Sequence, residues 1–379
     1  MEFVINKEDL SYGVGLVERI ISSRTTLPVT ANILFDAKKG ELKLSANNLE
    51  IGMEVSLKAK IAKEGAVLIP AKTLGGIVSK LPTGEISFNL KERGIVNISY
   101  KKSNFNIHSL PPDEFPQISK VKEVKSLEVE AKILVEMLEQ VVFAASTTEE
   151  KHVLNGILLE TGKTPADDTT FRMVATDGYR LAKVGAKISS VGGALSVVVP
   201  SKAMSEVLKV FSQDQSSAKI VVGVDQISFK SENVHIVSRL IQGQFPDYKQ
   251  VIPRSSDTKV NIDLISFLAA VERAAVIASQ CANIVKIEVR GKQLHIMASA
   301  PDVGSVDEEL EVEIKGKEKS LVAFNVRLVA DALKVIDAEQ ITLELGESMS
   351  PGIIKPVEAK GLSSFVYIVM PIRTQEVSA

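Results

Sequence analysis

Several residue types are scarce in this chain, and each shortage excludes a class of protein. Among the 379 residues there is one cysteine, Cys281, no tryptophan, and an aromatic fraction of 5%. One cysteine cannot build an internal disulfide framework, which suits a reducing compartment. The N-terminal stretch MEFVINKEDL carries acids early and predicts no signal peptide. Apolar segments such as ALSVVVP (194–200) are too short to span a bilayer, so we predict a cytoplasmic protein without membrane contact.

Motifs for catalysis and metal binding are also scarce. The chain contains four histidines: His108, His152, His235 and His295. None stands at metal-ligand spacing from another histidine, the cysteine or an acid, so packed or surface histidines are the better interpretation. Residues 162–170, GKTPADDTT, lack the upstream glycine and following helix of a phosphate-binding loop, and predict a disordered hairpin loop. We predict no enzymatic activity, no metal and no cofactor.

Composition is otherwise that of an ordinary globular protein. Hydrophobic residues make up 45% of the chain, charged residues 24%, and the net charge is −2. At about 150 residues per domain, this length predicts two or three domains. The balanced charge disfavours a surface coated in cations, although nucleic-acid binding depends on where the cations lie.

The most informative pattern is repetition at intervals of roughly 130 residues. Three segments share an apolar strand, a break and a helical pattern: AVLIPAKTLGGIVSKLP (66–82), LSVVVPSKAMSEVLKVF (195–211) and SLVAFNVRLVADALKVI (320–336). The break falls at Pro70, Pro200 and Asn325. FPQI at 115 recurs as FPDY at 245. The repeat predicts three copies of one unit.

Polar linkers separate the copies. SKVKEVK (119–125) and PRSSDTK (253–259) have the composition of connecting segments. The predicted domains are therefore residues 1–122, 127–252 and 255–379.

Each copy is itself divided into halves of the order strand, helix, three strands. In the first half EFVIN is a strand, and residues 7–23 predict a helix with Leu10, Val14, Val17 and Ile21 at helical spacing. ANILFDA, GELKLSA and EIGMEVSLKAKI follow as strands. Three copies give six β-α-β-β-β modules and six helices. The predicted class is α+β, a curved layer with all helices on one side and sheets on the other.

Every predicted helix, or the residues just after it, carries at least one cation. The cations are Arg19, Arg24, Lys72, Lys80, Lys132, Lys202, Lys209, Arg273, Arg327 and Lys334. Acids are interspersed among them, so an ordinary solvated helix face explains them equally well. Combined with a one-sided helix layer, they favour a lining that meets phosphates without reading bases.

At this point the chain resembles the bacterial sliding clamps, the beta subunits of the replicative DNA polymerase. The resemblance covers the whole chain and rests on motifs in a fixed order: RTTLP (24–28), LNG (154–156), ATDGYRLA (175–182), FPDY (245–248), FN (324–325) and YIVMPIR (367–373). It implies a head-to-tail homodimeric ring of six domains around duplex DNA, with helices lining the inner face and sheets outside. It also implies no catalysis, because a clamp tethers a polymerase and slides.

The resemblance gives the hairpin at 175–181 and the terminal strand a role. In this family they form a groove for a short apolar peptide carried by the replicative polymerase's catalytic subunit, the clamp loader and other proteins with a clamp-binding motif. The matching positions are Leu154, Thr176, Gly178, Tyr179, Arg180, Leu181, Pro246, Val251, Asn325, Ile368, Val369, Met370, Pro371, Ile372 and Arg373. We expect Arg180 and Arg373 to pair with acids or carbonyls of the peptide. From the residues alone, an ordinary core is the better interpretation of Leu154, Leu181 and Val369, and the resemblance reverses that preference.

Two further sites follow from the same resemblance. Arg24, Lys80 and Lys202 are expected to contact DNA. Phe105 and Ile107 match one side of the dimer surface, and Val276 and Ile277 match the other.

Some positions depart from the family pattern. Gln250 stands where an arginine is frequent, Ala282 replaces an aromatic residue at one edge of the groove, and Leu328 replaces a tyrosine. We expect a wider or more apolar groove. His152 and Val153 occupy the place of a tyrosine pair near DNA, and TQEVSA (374–379) extends past the usual end, beside the groove or as a free tail.

Two alternatives remain from the sequence. One is a protein-only scaffold with a peptide groove and no DNA role. The other is a hydrolase using Asp177 or His152, which would need a cleft with a second titratable group beside either residue.

Overall fold

The structure, a computed structural model, describes most of the chain. The described residues are 1–21, 27–91, 94–162, 170–188, 193–213, 216–253, 255–347, 349–358 and 363–373. Arg24, the predicted disordered loop within 162–170 and the extension 374–379 lie wholly or mostly outside them.

The first repeat contains two modules and one additional strand. Its first module is β1 (Glu2–Asn6), α1 (Lys7–Val17), β2 (Asn32–Lys38), β3 (Glu41–Asn47) and β4 (Ile51–Lys58), followed by the short β5 (Lys60–Lys63). Its second module is β6 (Gly65–Pro70), α2 (Ala71–Lys80), β7 (Glu85–Lys91), β8 (Ile95–Tyr100) and β9 (Ser103–His108).

The second repeat has the same order. Its first module is β10 (Lys125–Glu130), α3 (Ala131–Glu139), β11 (Gly156–Thr161), β12 (Phe171–Thr176) and β13 (Arg180–Ala186). Its second module is β14 (Ser196–Pro200), α4 (Ser201–Phe211), β15 (Ser217–Val222), β16 (Gln226–Lys230) and β17 (Val234–Arg239).

The third repeat again adds one strand to its first module. That module is β18 (Thr258–Asp263), α5 (Leu264–Ala278), β19 (Ile284–Arg290), β20 (Gln293–Ala300) and β21 (Gly304–Glu311), with the additional β22 (Glu313–Gly316). The last module is β23 (Lys319–Asn325), α6 (Val326–Leu333), β24 (Gln340–Leu345), β25 (Gly352–Pro356) and β26 (Ser363–Val369). Six modules of the predicted order are therefore confirmed.

Two boundaries in the first module differ from the prediction. The strand predicted over 50–61 is two strands, because β4 pairs with β3 whereas β5 pairs with β1 in another sheet. The helix predicted over 7–23 ends at Val17 and continues as a 3₁₀ turn, Glu18–Ile20. Three residues per turn bring Ile20, rather than Ile21, onto the buried face.

Long-range contacts divide the chain into two compact units. One unit comprises Met1–Ala131 with Glu206–Leu240, and the other comprises Lys132–Ser205 with Ile241–Ala379. The first holds a five-stranded sheet of order β5-β1-β7-β8-β9 and an eight-stranded sheet of order β10-β15-β16-β17-β4-β3-β2-β6. The second holds a nine-stranded sheet, β14-β11-β12-β13-β26-β25-β24-β18-β22, and a four-stranded sheet, β21-β20-β19-β23. The long sheets arise because strands from different repeats pair, β4 with β17 and β13 with β26.

Helices cover the sheets through apolar faces at helical spacing. In α5 the buried side chains include Phe267, Val271, Ala274 and Ala278. Helix α5 packs on β20 and against α6, and α1 packs against α2. Asn325 accepts a hydrogen bond from Arg327 N–H and caps α6, so it takes the place that the repeat assigned to it.

Candidate functional site

The turn between β12 and β13 is fixed by its own side chains. The two strands leave four residues between their last paired positions. The Oδ1 atom of Asp177 accepts hydrogen bonds from the backbone N–H groups of Tyr179 at 2.8 Å and Arg180 at 3.0 Å. Gly178 has a φ of 92°, in the left-handed region that favours glycine. The turn thus holds Tyr179 outward, with 65% of the residue exposed.

The Arg180 side chain fastens this turn to two other elements of its unit. Its Nε atom donates to Asp177 (3.0 Å), and its other nitrogens donate to Asp331 (2.7 Å) on α6 and to the carbonyl of Phe143 (2.7 Å). Burial alone would lower the pKa of the guanidinium, but the hydrogen bond to Asp331 leads the effects that raise it. The donors of Arg180 are therefore used within the chain, where we had expected them to meet a bound peptide.

Tyr367 packs on Phe143, the residue whose carbonyl accepts a hydrogen bond from Arg180. It is fully buried in β26, stacks on Phe143 with ring centroids 5.8 Å apart, and donates its hydroxyl to the carbonyl of Leu328 at 2.8 Å. Burial raises the pKa of the Tyr367 phenol, so the hydroxyl remains a donor. The ring and hydroxyl connect β26 to α6.

An apolar cluster lies beneath the turn and unites several predicted groove residues. Its buried members are Leu158, Val174, Leu181, Val198, Phe245, Tyr248 and Ile368, with Val153, Leu154, Ile241, Ile252 and Val366 packed against them. Tyr248 donates its hydroxyl to Glu160 at 2.8 Å, so its polar end is satisfied. Leu154, Leu181 and Ile368 come from three separate parts of the sequence and pack together in this cluster.

The last described residues run from the nine-stranded to the four-stranded sheet. Met370 N–H donates to the carbonyl of Tyr179 at 2.9 Å, and Ile372 N–H donates to the carbonyl of Ala323 at 2.8 Å. These bonds hold the segment 370–373 in place beyond the end of β26. Pro371 and Ile372 are half-buried, and Arg373 is exposed.

Apolar side chains remain exposed around this segment. Besides Tyr179, they are Val251, with 41% exposed, and Met370, with 36%. Val251 and Met370 line a cavity of about 380 Å³, whose walls include Pro351 and Ile353. Exposed apolar groups beside a concave surface are typical of a binding site.

The other predicted groove residues differ in how far their side chains are exposed to solvent. Thr176 is half-buried, and its hydroxyl donates to the carbonyl of Arg180 at 2.6 Å. Pro246 is exposed, Asn325 is half-buried as a helix cap, and Val369 is fully buried. Thr176 and Val369 thus support the surface from within.

Several supporting residues were missed in the sequence. Phe143 and Asp331 hold Arg180, but they stand in ordinary apolar or helical patterns that gave no signal. Tyr367 connects β26 to α6 and opens the YIVMPIR motif, but the motif assigned it no role. Among the departures from the family pattern, Gln250 lines the 380 Å³ cavity and donates to Asp247 at 3.0 Å. Ala282 has a φ of 53°, in the left-handed region.

The other unit contains a counterpart of the turn. The Oδ1 atom of Asn48 accepts from the N–H groups of Glu50 (3.0 Å) and Ile51 (2.8 Å), as Asp177 does in its own turn. Arg239 N–H donates to the carbonyl of Glu50 at 3.0 Å, as Met370 does to Tyr179. The repeat therefore reproduces the backbone of the site.

The counterpart has a different surface. Gly52 takes the place of Leu181 in the strand register, and an added Cβ there would approach Ile118 to 2.7 Å, so Ile118 fills the space. Arg239 takes the place of Met370 by the same register, and the remaining cavity is about 170 Å³. The counterpart turn therefore exposes Leu49 beside a smaller cavity, and it has the charged Arg239 in the place of the apolar Met370.

The predicted DNA-contacting cations that the structure describes are exposed. Lys80 ends α2 and Lys202 lies in the first turn of α4, and neither has an acidic partner among the described residues. In contrast, three other helix cations are neutralised: Lys209 by Glu206, Arg273 by Glu308, and Lys334 by Glu272. Ion pairing therefore reduces the set of available helix cations below the set that the sequence suggested.

The predicted dimer residues lie on or beside elements with unpaired edges. Phe105 and Ile107 are in β9, an edge strand of the five-stranded sheet, and Ile107 is buried. Val276, with 67% exposed, and Ile277 are in α5, which packs on β21 at the edge of the four-stranded sheet.

Comparison with known proteins identifies the family. Three family models for the DNA polymerase III beta subunit match the chain in order: the N-terminal domain at residues 1–119, the central domain at 128–247 and the C-terminal domain at 249–373. The chain belongs to the DNA polymerase III beta subunit family. It therefore has the α+β fold of three tandem clamp domains that its sequence predicted.

Individual relatives match this chain along nearly its full length and nearly their own. A beta sliding clamp from Synechocystis sp. is 33% identical over 397 residues, covering 98% of this chain and 99% of the relative. The beta subunit structure from Thermotoga maritima has a TM-score of 0.90 and 30% identity, covering 98% of this chain and 99% of its own. A sliding clamp from Bartonella birtlesii, bound to griselimycin, has a TM-score of 0.92 and 30% identity, covering 99% and 100%.

Family membership fixes the class of function. Sliding clamps are processivity factors of DNA replication and not enzymes, so the prediction of no enzymatic activity is confirmed. Over the described ranges, no helix has both the length and the apolar character needed to cross a membrane. Within the same part of the chain, no three acid, histidine or cysteine side chains are grouped to hold a metal ion.

Proposed function

We propose that two copies of this chain close head to tail into a ring around duplex DNA and slide along the DNA without reading its sequence. The ring holds the replicative polymerase through the surface around Tyr179, Val251 and Met370. The observation that supports the tethering role is the exposed apolar surface beside the nine-stranded sheet. The site of action is the cytoplasm. The domain boundaries predicted from the linkers remain part of this proposal.

The groove accepts a short apolar peptide. The side chains of Val251 and Met370 bury apolar groups of the peptide in the adjoining cavity, and methionine adapts its shape to different partners. Partners include the polymerase catalytic subunit, the clamp loader and other proteins with a similar motif. The griselimycin complex of the Bartonella clamp supports the use of griselimycin as a probe.

Two strands that end their sheets in the described part of the chain, β9 and β21, support the dimer. Strand β9 follows Lys101 and Lys102, whereas β21 carries Asp307, Glu309 and Glu311, so the two edges have complementary charge. Pairing β9 of one copy with β21 of the other extends both sheets and covers both edges. The contact is heterologous, and two copies close it.

Val276→Asp should weaken the dimer without unfolding the chain. Val276 is exposed in the single chain, but it matches the dimer surface, where a carboxylate would lose its water. We expect the dissociation constant to rise at least about 100-fold, which corresponds to about 2.7 kcal/mol. Analytical ultracentrifugation over a concentration series measures it.

Ile265→Asp is the matched control. Ile265 is 77% exposed at the other end of the same helix, about 16 Å away along the axis. It should leave the dimer unchanged, and equal weakening by both substitutions would contradict the assigned surface.

Reversing two cations should weaken loading on circular DNA. Arg24→Glu with Lys202→Glu replaces attraction to phosphates by repulsion, and we expect the salt dependence of binding to fall by about one to two phosphate contacts. Lys209→Glu on the same helix is the control for net charge, because it makes the same change of charge at a lysine that Glu206 already binds at 2.6 Å. Unchanged retention of the double variant would favour a scaffold with no DNA role.

A further inference from the structure

A second cavity lies on the four-stranded sheet, outside the predicted groove residues. Its volume is about 450 Å³, within the range of sites that bury a ligand. Ile284, Lys286 and Met297 line it, and their strand neighbours Val285, Ile287 and Ile296 are fully buried. Because side chains alternate along a strand, the cavity is on the face opposite those buried residues.

The cavity is built on a row of side chains across neighbouring strands. Ala323 of β23 pairs with Lys286 of β19, Lys286 pairs with Met297 of β20, and Met297 pairs with Asp307 of β21. The row therefore places the apolar side chain of Met297 between a basic residue, Lys286, and an acidic residue, Asp307. Asp307 is also hydrogen-bonded to His295 Nδ1 at 3.0 Å, and this bond fixes the Asp307 side of the cavity.

This row begins at the groove. The carbonyl of Ala323 accepts the hydrogen bond from Ile372 N–H that holds the terminal segment. Ile284, in the cavity wall, pairs with Asn325, which is a predicted groove position. Neighbouring strands are about 4.8 Å apart, so the cavity starts one strand beyond the groove rim.

We propose that this cavity receives an apolar side chain of the same partner peptide, from residues that flank the part in the groove. The proposal rests on the proposed function of the groove. Ile284 and Met297 would cover the side chain, and Lys286 and Ser299 would supply polar contacts to the peptide beside it. Partners with such a flanking residue bind more tightly than partners that fill the groove alone.

Extended peptides test this directly. The probes are the pentapeptide Ala-Leu-Ser-Leu-Phe and two versions lengthened by Gly-Ser-Leu-Asp at either end. Four residues reach up to about 13 Å, enough to cross from the groove rim to Met297. One extended version should bind about tenfold more tightly than the pentapeptide, a gain of about 1.4 kcal/mol.

Ser299→Trp and Met297→Asp should remove that gain. The first fills the cavity and the second places a charge on its floor, and both should leave affinity for the pentapeptide and griselimycin unchanged. Arg290→Ala, in β19 but outside the cavity, is the matched control and should keep the gain. If a variant fails to fold, alkylation of the native chain gives the same answer.

Cys281 is the chain's one cysteine, is exposed and lines this cavity, so its reaction with iodoacetamide reports occupancy. The extended peptide should slow the reaction, whereas the pentapeptide and griselimycin should not. A chain ending at Arg373 tests residues 374–379 as the occupant, and faster alkylation after that truncation would overturn the proposal.

The possible outcomes distinguish a failure of the cavity proposal from a failure of the groove proposal. Binding of the pentapeptide with no gain from either extension, or a gain that survives Ser299→Trp, would overturn the cavity's role and leave the groove intact. No binding of the pentapeptide or griselimycin would overturn the groove itself.

Discussion

Ending the chain at Val369 should abolish binding of groove peptides while leaving the fold and the dimer intact. The truncation removes Met370, the bond to Tyr179 and the bond from Ile372 to Ala323, but it keeps every residue of β26. Removing a central apolar anchor together with its wall costs about 3 kcal/mol or more, so affinity should fall at least about 100-fold. Fluorescence anisotropy with a labelled peptide measures the loss.

A chain ending at Arg373 is the control for this truncation. It removes only the six residues after the groove positions, and it should bind the same peptide normally. A cut before Ile368 would be uninformative, because Ile368 and Val369 are buried between β13 and β25. Normal affinity of the chain that ends at Val369 would refute the assigned groove.

Replacing Arg180 by alanine should lower both stability and peptide affinity. The side chain is 12% exposed and joins Asp177, Asp331 and the carbonyl of Phe143. Its removal leaves partly buried acceptors without a donor, so we expect a loss of about 2–4 kcal/mol in the free energy of unfolding. Urea denaturation followed by circular dichroism measures it, and anisotropy measures the accompanying loss of peptide binding.

Arg273→Ala is the matched control in the same unit. Arg273 makes two hydrogen bonds to Glu308, both at 2.7 Å, but its side chain is 57% exposed. Water competes for both charges of an exposed pair, so we expect a much smaller loss of stability than for Arg180→Ala. Equal destabilisation by the two substitutions would show that burial around Arg180 has no special role.

The repeat in the sequence predicted the module order correctly because each module is a local pattern. Strands of alternating polarity and helices of 3.6-residue period can be recognised from neighbouring residues alone. The pairing of β4 with β17 and of β13 with β26 could not be recognised, because it joins residues far apart in the chain. The pairing of β13 with β26 brings the predicted groove residues Leu181 and Ile368 together.

The motifs predicted the groove positions, but they did not predict what each of these side chains does in the structure. Tyr179 and Met370 are exposed, whereas the side chain of Arg180 is mostly buried and binds Asp331. Sequence cannot separate these roles, because the partners of Arg180 are an ordinary helix acid and a backbone carbonyl. The counterpart turn at Asn48 shows the same limit, since its backbone bonds match while its surface does not.

The central claim is that DNA is held by enclosure. The most direct measurement compares retention of the loaded protein on nicked circular DNA with retention on the same DNA after linearisation, at a salt concentration that removes non-specific binding. A closed ring should remain on the circle and leave the linear molecule from its ends. Equal loss from both forms, or equal retention on both, would contradict enclosure.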